Sequence, residues 1–180
     1  MRGYILYDNE GYQRNKAFSE LLIAYGEKKG IHLKTVLRED LIPSMKNSSL
    51  VIATKNGGEL QGDFIINRCI DPLFAEFLMR QGIKLFNSAE VCRICNDKRL
   101  THMYFAQYPH IPMADSVFLN HYNEDYTPYA FPQILKAPAG HGGEQVFWIN
   151  NEKELKDHFI SDRLLQAPVK NIGRDLRVYV

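Results

Sequence analysis

The sequence of 180 residues predicts an α/β fold in its first half and an α+β fold in its second half. Apolar runs at residues 3–7 and 31–37 enclose a stretch with helical spacing, and strand–helix–strand order is typical of a parallel sheet. Two prolines within residues 109–112 mark a change of pattern. Beyond them, short apolar runs alternate with polar turns, which indicates further β structure.

The elements of the first half follow from caps and apolar spacing. The first helix is predicted to bury a face with i, i+3, i+4 and i+7 spacing, made of Phe18, Leu21, Leu22 and Tyr25. Further strands are predicted at residues 50–53, 64–66 and 83–86. Asp71 followed by Pro72 predicts the start of a second helix, and Ser88 and Asn96 are predicted to cap two more.

The second half contains one predicted helix among several strands. The strands are expected at residues 117–119, 133–136, 145–149, 164–169 and 175–180. Asn151 with Glu154 three residues later has the spacing of a capping box and predicts a helix. The aromatic residues Tyr104, Phe105 and Tyr108 have helical spacing and are predicted to lie in the core.

The composition excludes several classes of protein. Lys and Arg number 22 against 21 Asp and Glu, a net charge of +1, so bulk electrostatic binding of nucleic acid is not expected. Neither a secretory leader nor the roughly 18 consecutive apolar residues of a membrane helix is evident in the chain. Three cysteines are an odd number without framework spacing, which favours a reducing, cytoplasmic context. Cys92 and Cys95 have thiol-pair spacing, but the two further ligands that a zinc site needs are not found at matching spacing, so no metal site is expected in this chain.

A glycine-rich segment at residues 136–146 is the stretch most suggestive of chemistry. A strand ends at Lys136, and the following glycines allow successive N–H groups to point at one anion. The segment lacks the Walker pattern and precedes a strand instead of a helix. Taken alone it is interpreted as an ordinary hairpin turn.

The order and spacing of the other motifs change this interpretation. The segments concerned are residues 66–71, 87–90, 96–101, 136–146, 164–169 and 173–178. Together they resemble the RimK-like branch of the ATP-grasp superfamily over essentially the whole chain. The resemblance implies a Rossmann-like pre-ATP-grasp domain at residues 1–95 and the first part of an ATP-grasp domain at residues 96–180. It implies an ATP-dependent ligase that joins a carboxylate to an amine or thiol through an acyl phosphate.

The resemblance also assigns the residues that bind ATP. Lys98 and Lys136 match the two lysines of the family that contact ATP. The loop that closes over the phosphates matches Gly140, His141, Gly142 and Gly143. The adenine hinge matches Gln166, Ala167 and Val169, with the carbonyl of Ala167 and the amide of Val169 expected to contact the base. Pro168 stands between them where an aromatic residue is usual, and proline has no N–H to donate.

Two further residues match an Asp-x-Arg pair after the hinge. Asp175 is expected to take part in cofactor binding, and Arg177 is expected to contact phosphate or substrate carboxylate as the catalytic residue. A plain ion pair between strands is the alternative for these two. The family's Mg²⁺ ligands would lie beyond Val180, so Mg²⁺ is expected only in a longer protein and no catalysis by this chain alone. Residues 176–180 alternate as a strand does, and we expect the natural chain to continue.

Two other functions remain open. One is a non-catalytic nucleotide-binding module, or a naturally short ATP-grasp relative. The other is a dinucleotide enzyme, which residues 8–12 disfavour because they lack the G-x-G-x-x-G pattern. The expected partners are ATP and an unidentified carboxylate with an amine acceptor, with no nucleic acid and no membrane. A homo-oligomer is one of the expected forms.

Overall fold

The computed structural model describes residues 1–123, 126–127, 129–140, 143, 145–158 and 162–170. The chain divides into two units, Met1–Ile94 and Cys95–Val180, and each is described below by itself. Among the described residues, none of the helices has both the length and the apolar character needed to cross a lipid bilayer.

The first unit is built on a parallel sheet. Its elements in chain order are β1 (Arg2–Tyr7), α1 (Asn9–Lys28), β2 (His32–Leu37), β3 (Leu41–Lys46), β4 (Ser49–Thr54), β5 (Phe64–Asn67), α2 (Pro72–Arg80), β6 (Lys84–Phe86) and α3 (Ala89–Asn96), which runs across the boundary. Four strands form a sheet in the order β2-β1-β5-β6, and each pair is parallel. Side chains of β1 and β5 form its buried core, together with α2 on one face and β2 and α1 on the other.

Two helix starts in this unit follow the sequence prediction. The Asp71 carboxylate accepts the backbone N–H of Phe74 at 2.9 Å, and Pro72 occupies the first turn of α2. Ser88 accepts the N–H of Val91 at the start of α3.

The predicted buried face of α1 is wrong. Phe18, Leu21 and Tyr25 are 43%, 51% and 57% exposed, whereas Ser19 and Gly26 are buried. Small residues face the sheet because α1 approaches β2 closely. A Cβ on Gly26 would lie 2.8 Å from the carbonyl oxygen of Ile31, and the Ser19 and Thr35 hydroxyls are hydrogen-bonded at 2.7 Å.

The strand β3 was not predicted. It pairs antiparallel with β4 as a two-stranded hairpin apart from the main sheet. The turn places Asn47 and Ser48 at φ of 50° and 60°, as hairpin turns of two residues require. Pro43 lies within β3, and proline disfavours a strand prediction because it is tolerated only in edge strands.

The second unit is an antiparallel sheet with helices. Its elements are α4 (Lys98–Phe105), β7 (Ser116–Leu119), β8 (Gln133–Lys136), β9 (Val146–Ile149), α5 (Glu152–Asp157) and β10 (Arg163–Gln166). The sheet has the order β7-β10-β8-β9, and every neighbouring pair is antiparallel. A parallel sheet followed by an antiparallel one confirms the predicted fold class.

One face of this second sheet is a closed core. Alternate residues of all four strands, including Leu119, Leu135, Ile149 and Leu165, pack with Leu155 of α5. The Asn151 carboxamide accepts the N–H of Glu154, which confirms the capping box predicted for α5.

Two predictions around α4 are wrong. The cap of this helix is Asp97 instead of Asn96, because Asn96 still belongs to α3. The aromatic residues expected in the core are open to solvent: Tyr104 is 39% exposed and Tyr108 is 38% exposed. Their rings contact one another with centroids 5.8 Å apart.

Candidate functional site

The start of α4 is hydrogen-bonded to the segment that follows β8. Asp97 caps the helix by accepting the N–H of Arg99 at 2.8 Å. The backbone N–H of Lys98 donates to the Pro138 carbonyl at 3.0 Å, and its Nζ donates to the Gly140 carbonyl at 3.2 Å. Lys98 therefore lies at the edge of the glycine-rich segment.

A row of polar side chains crosses three strands of the second sheet. Lys136 ends β8, and its Nζ donates to Oε1 of Gln166 at 2.5 Å. The other amide atom of Gln166, Nε2, donates to Oγ of Ser116 at 3.0 Å. Ser116 in turn donates to the Ala114 carbonyl at 2.9 Å. Gln166 is buried with both its amide groups satisfied, so it holds the Lys136 ammonium in place.

The described residues of this region carry positive charges that influence one another. Burial lowers the pKa of Lys136, and the positive charge of Lys98 lowers it further. Burial also lowers the pKa of His102, one turn along α4 from Lys98, and the Lys136 charge adds to the effect. Among the described side chains, no carboxylate lies within 4.0 Å of either lysine ammonium. Such a cluster favours the binding of an anion.

Partly exposed apolar side chains lie along the edges of the sheet face that carries Lys136, whereas Leu164 at its middle is fully buried. Strand register places the side chains of Ser116, Phe118, Ile134, Lys136, Val146, Trp148, Leu164 and Gln166 on this face, opposite the closed core. Phe118, Val146 and Trp148 are 36%, 39% and 56% exposed. A flat aromatic group would bury this apolar surface while its charged substituents reach the lysines.

The chain leaving β10 offers two backbone groups next to this surface. The N–H of Ala167 donates to the Asp115 carbonyl at 3.0 Å, which ties the segment to β7. In the part of the chain that the structure describes, the Ala167 carbonyl and the Val169 N–H have no hydrogen-bond partner. Val169 is 64% exposed.

The structure describes only part of the predicted phosphate loop. Gly140 and Gly143 have φ of 122° and 86°, conformations in which residues with a Cβ are strained. The N–H of Ala137 donates to the Gln145 carbonyl at 3.1 Å and closes the base of the loop. Four predicted site residues, His141, Gly142, Asp175 and Arg177, lie outside the described residues.

Four residues that sequence reasoning did not assign to the site belong to its surroundings: His102, Ser116, Phe118 and Trp148. For Ser116, Phe118 and Trp148 the signal was strand register, which becomes available only once the neighbours of each strand are known. His102 contacts Phe118 edge to face, with ring centroids 6.3 Å apart. Among the described residues, no three metal-ligating side chains come together.

Comparison with curated proteins finds two relatives of low identity. The uncharacterized protein MG011 of Mycoplasma genitalium is 25% identical over 183 residues, which covers 99% of this chain and 58% of the relative. Its Mycoplasma pneumoniae homolog is 23% identical over 184 residues with the same coverage. The chain thus spans a little more than half the length of these relatives. No protein-family model matches the chain.

Comparison with solved structures extends over nearly the whole chain. The RimK domain ATP-grasp protein of Sphaerobacter thermophilus has a TM-score of 0.67 at 16% identity, covering 96% of this chain and 66% of that one. The D-alanine-D-alanine ligase of Helicobacter pylori has a TM-score of 0.63 at 17% identity, covering 94% and 64%. The D-alanyl-alanine synthetase A of Vibrio cholerae has a TM-score of 0.69 at 11% identity, covering 94% and 60%. The protein therefore has the fold of the ATP-grasp ligases.

Proposed function

We propose that this chain is the nucleotide-binding part of an ATP-dependent ligase that joins a carboxylate to an amine or a thiol. The observation that carries the proposal is a pair of lysines with no carboxylate within 4.0 Å among the described residues, beside partly exposed apolar side chains of the sheet. ATP, when bound, supplies the phosphoryl group that activates the carboxylate as an acyl phosphate, from which the amine or thiol displaces phosphate. On this proposal residues 1–95 form the pre-ATP-grasp domain and residues 96–180 the first part of the ATP-grasp domain.

The described residues fit a nucleotide in three respects. The ammonium groups of Lys98 and Lys136 would contact the phosphates, and Gln166 keeps the second of them oriented. The apolar face would hold the adenine ring. The Ala167 carbonyl would accept from the amino group of the base, and the Val169 N–H would donate to a ring nitrogen.

The roles proposed for the remaining predicted residues rest on the family resemblance. Gly140, His141, Gly142 and Gly143 would close over the phosphates. Asp175 would support nucleotide binding, and Arg177 would contact the reacting phosphate or carboxylate. The described residues offer no set of ligands that fits Mg²⁺, and we derive no step through a metal.

The substrates are proposed only as chemical classes. Three structural neighbours are D-alanine-D-alanine ligases by name, and another is an N5-carboxyaminoimidazole ribonucleotide synthetase, so the shared fold does not single out one substrate. We propose ATP, a carboxylate and an amine as partners, a homo-oligomer as one form, and the cytoplasm as location. Three free cysteines support a reducing compartment.

A second candidate is a nucleotide-binding module without catalysis. It shares the lysine cluster and the hinge, so ATP binding does not separate the two. They differ in turnover: the protein with its complete ATP-grasp domain should release phosphate from ATP only when a carboxylate and an amine are both present.

Calorimetric titration with ATP tests the proposal. We expect weak binding by the parent chain and loss of binding in Lys136→Ala, because one of two phosphate-facing charges is removed. Lys153→Ala is the matched control, since Lys153 is exposed on α5, on the opposite side of the sheet. If Lys136→Ala binds ATP as the parent does, the site is wrongly placed.

A further inference from the structure

The first turn of α4 carries an arginine that bridges two carboxylates. Arg99 follows Lys98 in the chain, and its Nε and Nη2 donate to the two carboxylate oxygens of Asp97 at 3.1 and 2.8 Å. Its remaining nitrogen, Nη1, donates to Oδ1 of Asp162 at 2.9 Å. The guanidinium thus uses its planar fork on one carboxylate and reaches a second one, a geometry that the single ammonium group of a lysine does not reproduce.

The two carboxylates belong to different parts of the second unit. Asp97 caps α4, whereas Asp162 directly precedes β10 and lies 63 residues further along the chain than Arg99. β10 lies between β7 and β8 and ends at Gln166, whose side chain binds the Lys136 ammonium. Arg99 therefore connects the helix start that carries one lysine of the site to the strand that holds the other.

The position of Lys98 depends on this bridge. Asp97 and Arg99 are its neighbours on either side, and its own N–H and Nζ donate to the carbonyls of Pro138 and Gly140. The backbone that presents the Lys98 ammonium is therefore fixed by the residues around it. The charge of Arg99 is matched by two carboxylates within 2.9 Å, so we expect its effect on an anion to act through Lys98.

The two ends of the bridge differ in strength. The side chains of Arg99 and Asp97 are 29% and 22% exposed, so their pair is largely shielded from solvent. The hydrogen bonds from Arg99 lower the pKa of Asp97, which keeps the capping carboxylate charged. Asp162 is 55% exposed, and its pair with Arg99 is open to screening by salt. The bridge is thus firm at α4 and weaker at β10.

We infer that Arg99 is a positioning residue that holds the start of α4 against β10 and thereby fixes Lys98 at the nucleotide site. The inference rests on the proposed function in one respect, namely that the Lys98 ammonium contacts phosphate. The bridge itself belongs to the geometry of the second unit and can be tested without a nucleotide.

The first measurement is amide hydrogen exchange by nuclear magnetic resonance in the parent and Arg99→Gln. The Lys98 amide should exchange at least about tenfold faster in the variant, because its hydrogen bond to Pro138 opens more often. The Glu154 amide is the internal control, since Asn151 caps it at the start of α5. Thermal unfolding establishes that the variant is folded.

The second measurement compares ATP with adenosine, which has no phosphate, in titrations followed at the Trp148 indole N–H. Arg99→Gln should weaken ATP binding by roughly five- to twentyfold and leave adenosine binding within about twofold of the parent. Arg99→Lys keeps the charge but not the fork and should recover only part of the ATP affinity. Asp162→Asn removes the exposed end of the bridge and should have a smaller effect than Arg99→Gln. Arg80→Gln is the matched control, because Arg80 pairs with Glu76 on α2.

Three results would overturn the inference. One is unchanged exchange at the Lys98 amide in a folded Arg99→Gln. Another is an equal loss of ATP and adenosine binding, which indicates general damage to the fold. The third is full recovery of ATP affinity in Arg99→Lys, which would show that charge alone matters. A parent chain that does not respond to ATP contradicts the proposed function instead, and exchange at Lys98 then decides whether Arg99 positions α4.

Discussion

Replacing Gln166 by glutamate tests the nucleotide site with a nearly isosteric change. The side chain is buried and its Oε1 lies 2.5 Å from the Lys136 ammonium, so Gln166→Glu places a carboxylate oxygen against that charge. The ion pair would offset most of the positive charge that we propose for phosphate binding. The Ser116 hydroxyl, which now accepts from the amide nitrogen, can rotate and donate to the carboxylate instead.

The size of the effect follows from the charge that is lost. Two unit charges about 4 Å apart attract by about 4 kcal/mol at an effective dielectric constant near 20. Lys136 is only partly buried, so screening reduces the loss of phosphate binding to roughly 1.5–3 kcal/mol. This corresponds to an affinity for ATP that is roughly 10- to 150-fold weaker. The stability of the fold should change little, because the Coulomb gain of the pair and the cost of burying a carboxylate have opposite signs.

The assay is calorimetric titration of ATP into the parent and Gln166→Glu, with thermal unfolding to establish that both are folded. Gln107→Glu is the control, since it adds the same charge at an exposed position beyond the far end of α4. We expect the control to bind as the parent does. A folded Gln166→Glu with the parent's affinity would refute the assignment of Lys136 to the phosphates.

Three further predictions concern the folded chain. Because burial lowers the pKa of His102 below its usual 6.5, the unfolded chain takes up this proton first as the pH falls. The free energy of unfolding should therefore decrease from about pH 6.5 down to the lowered pKa, and His102→Gln should flatten that part of a urea-unfolding profile. Cys95 is exposed, whereas Cys69 and Cys92 are buried, and burial raises the pKa of Cys69 to about 12. A thiol reagent should therefore modify Cys95 in the native chain and spare the other two, which mass spectrometry can measure. Rapid reaction of all three cysteines would contradict the structure. Asp97→Ala should lower the free energy of unfolding by about 1–2 kcal/mol, because the α4 helix loses its N-terminal cap. Asp97→Asn keeps a capping oxygen and should lie closer to the parent. Equal stability of the parent and both variants would show that the cap contributes nothing.

The local structure of the fold could be predicted from the sequence. The caps at Asp71 and Asn151 depend on a side chain and an N–H three residues away, so spacing alone predicts them. The parallel order of the first strands follows from strand–helix–strand alternation. The ordered motifs predict ATP-binding roles for Lys98 and Lys136, and the structure places them close enough for the Lys98 charge to lower the pKa of Lys136.

The remaining features depend on contacts between distant segments. The inner face of α1 is set by how closely β2 approaches Gly26, a distance that no hydrophobic period encodes. The role of Gln166 depends on lying between β7 and β8, and Phe118 and Trp148 join the site through register.

Tryptophan fluorescence during a titration with ATP tests the central claim most directly. The chain has one tryptophan, Trp148, which is 56% exposed and lies opposite Ile134 on the face that carries Lys136. If adenine binds to this face, ATP should change the Trp148 emission saturably, and Lys136→Ala should shift the midpoint to much higher concentration. Emission that stays constant up to millimolar ATP, or that changes equally in the parent and Lys136→Ala, would contradict the proposed site.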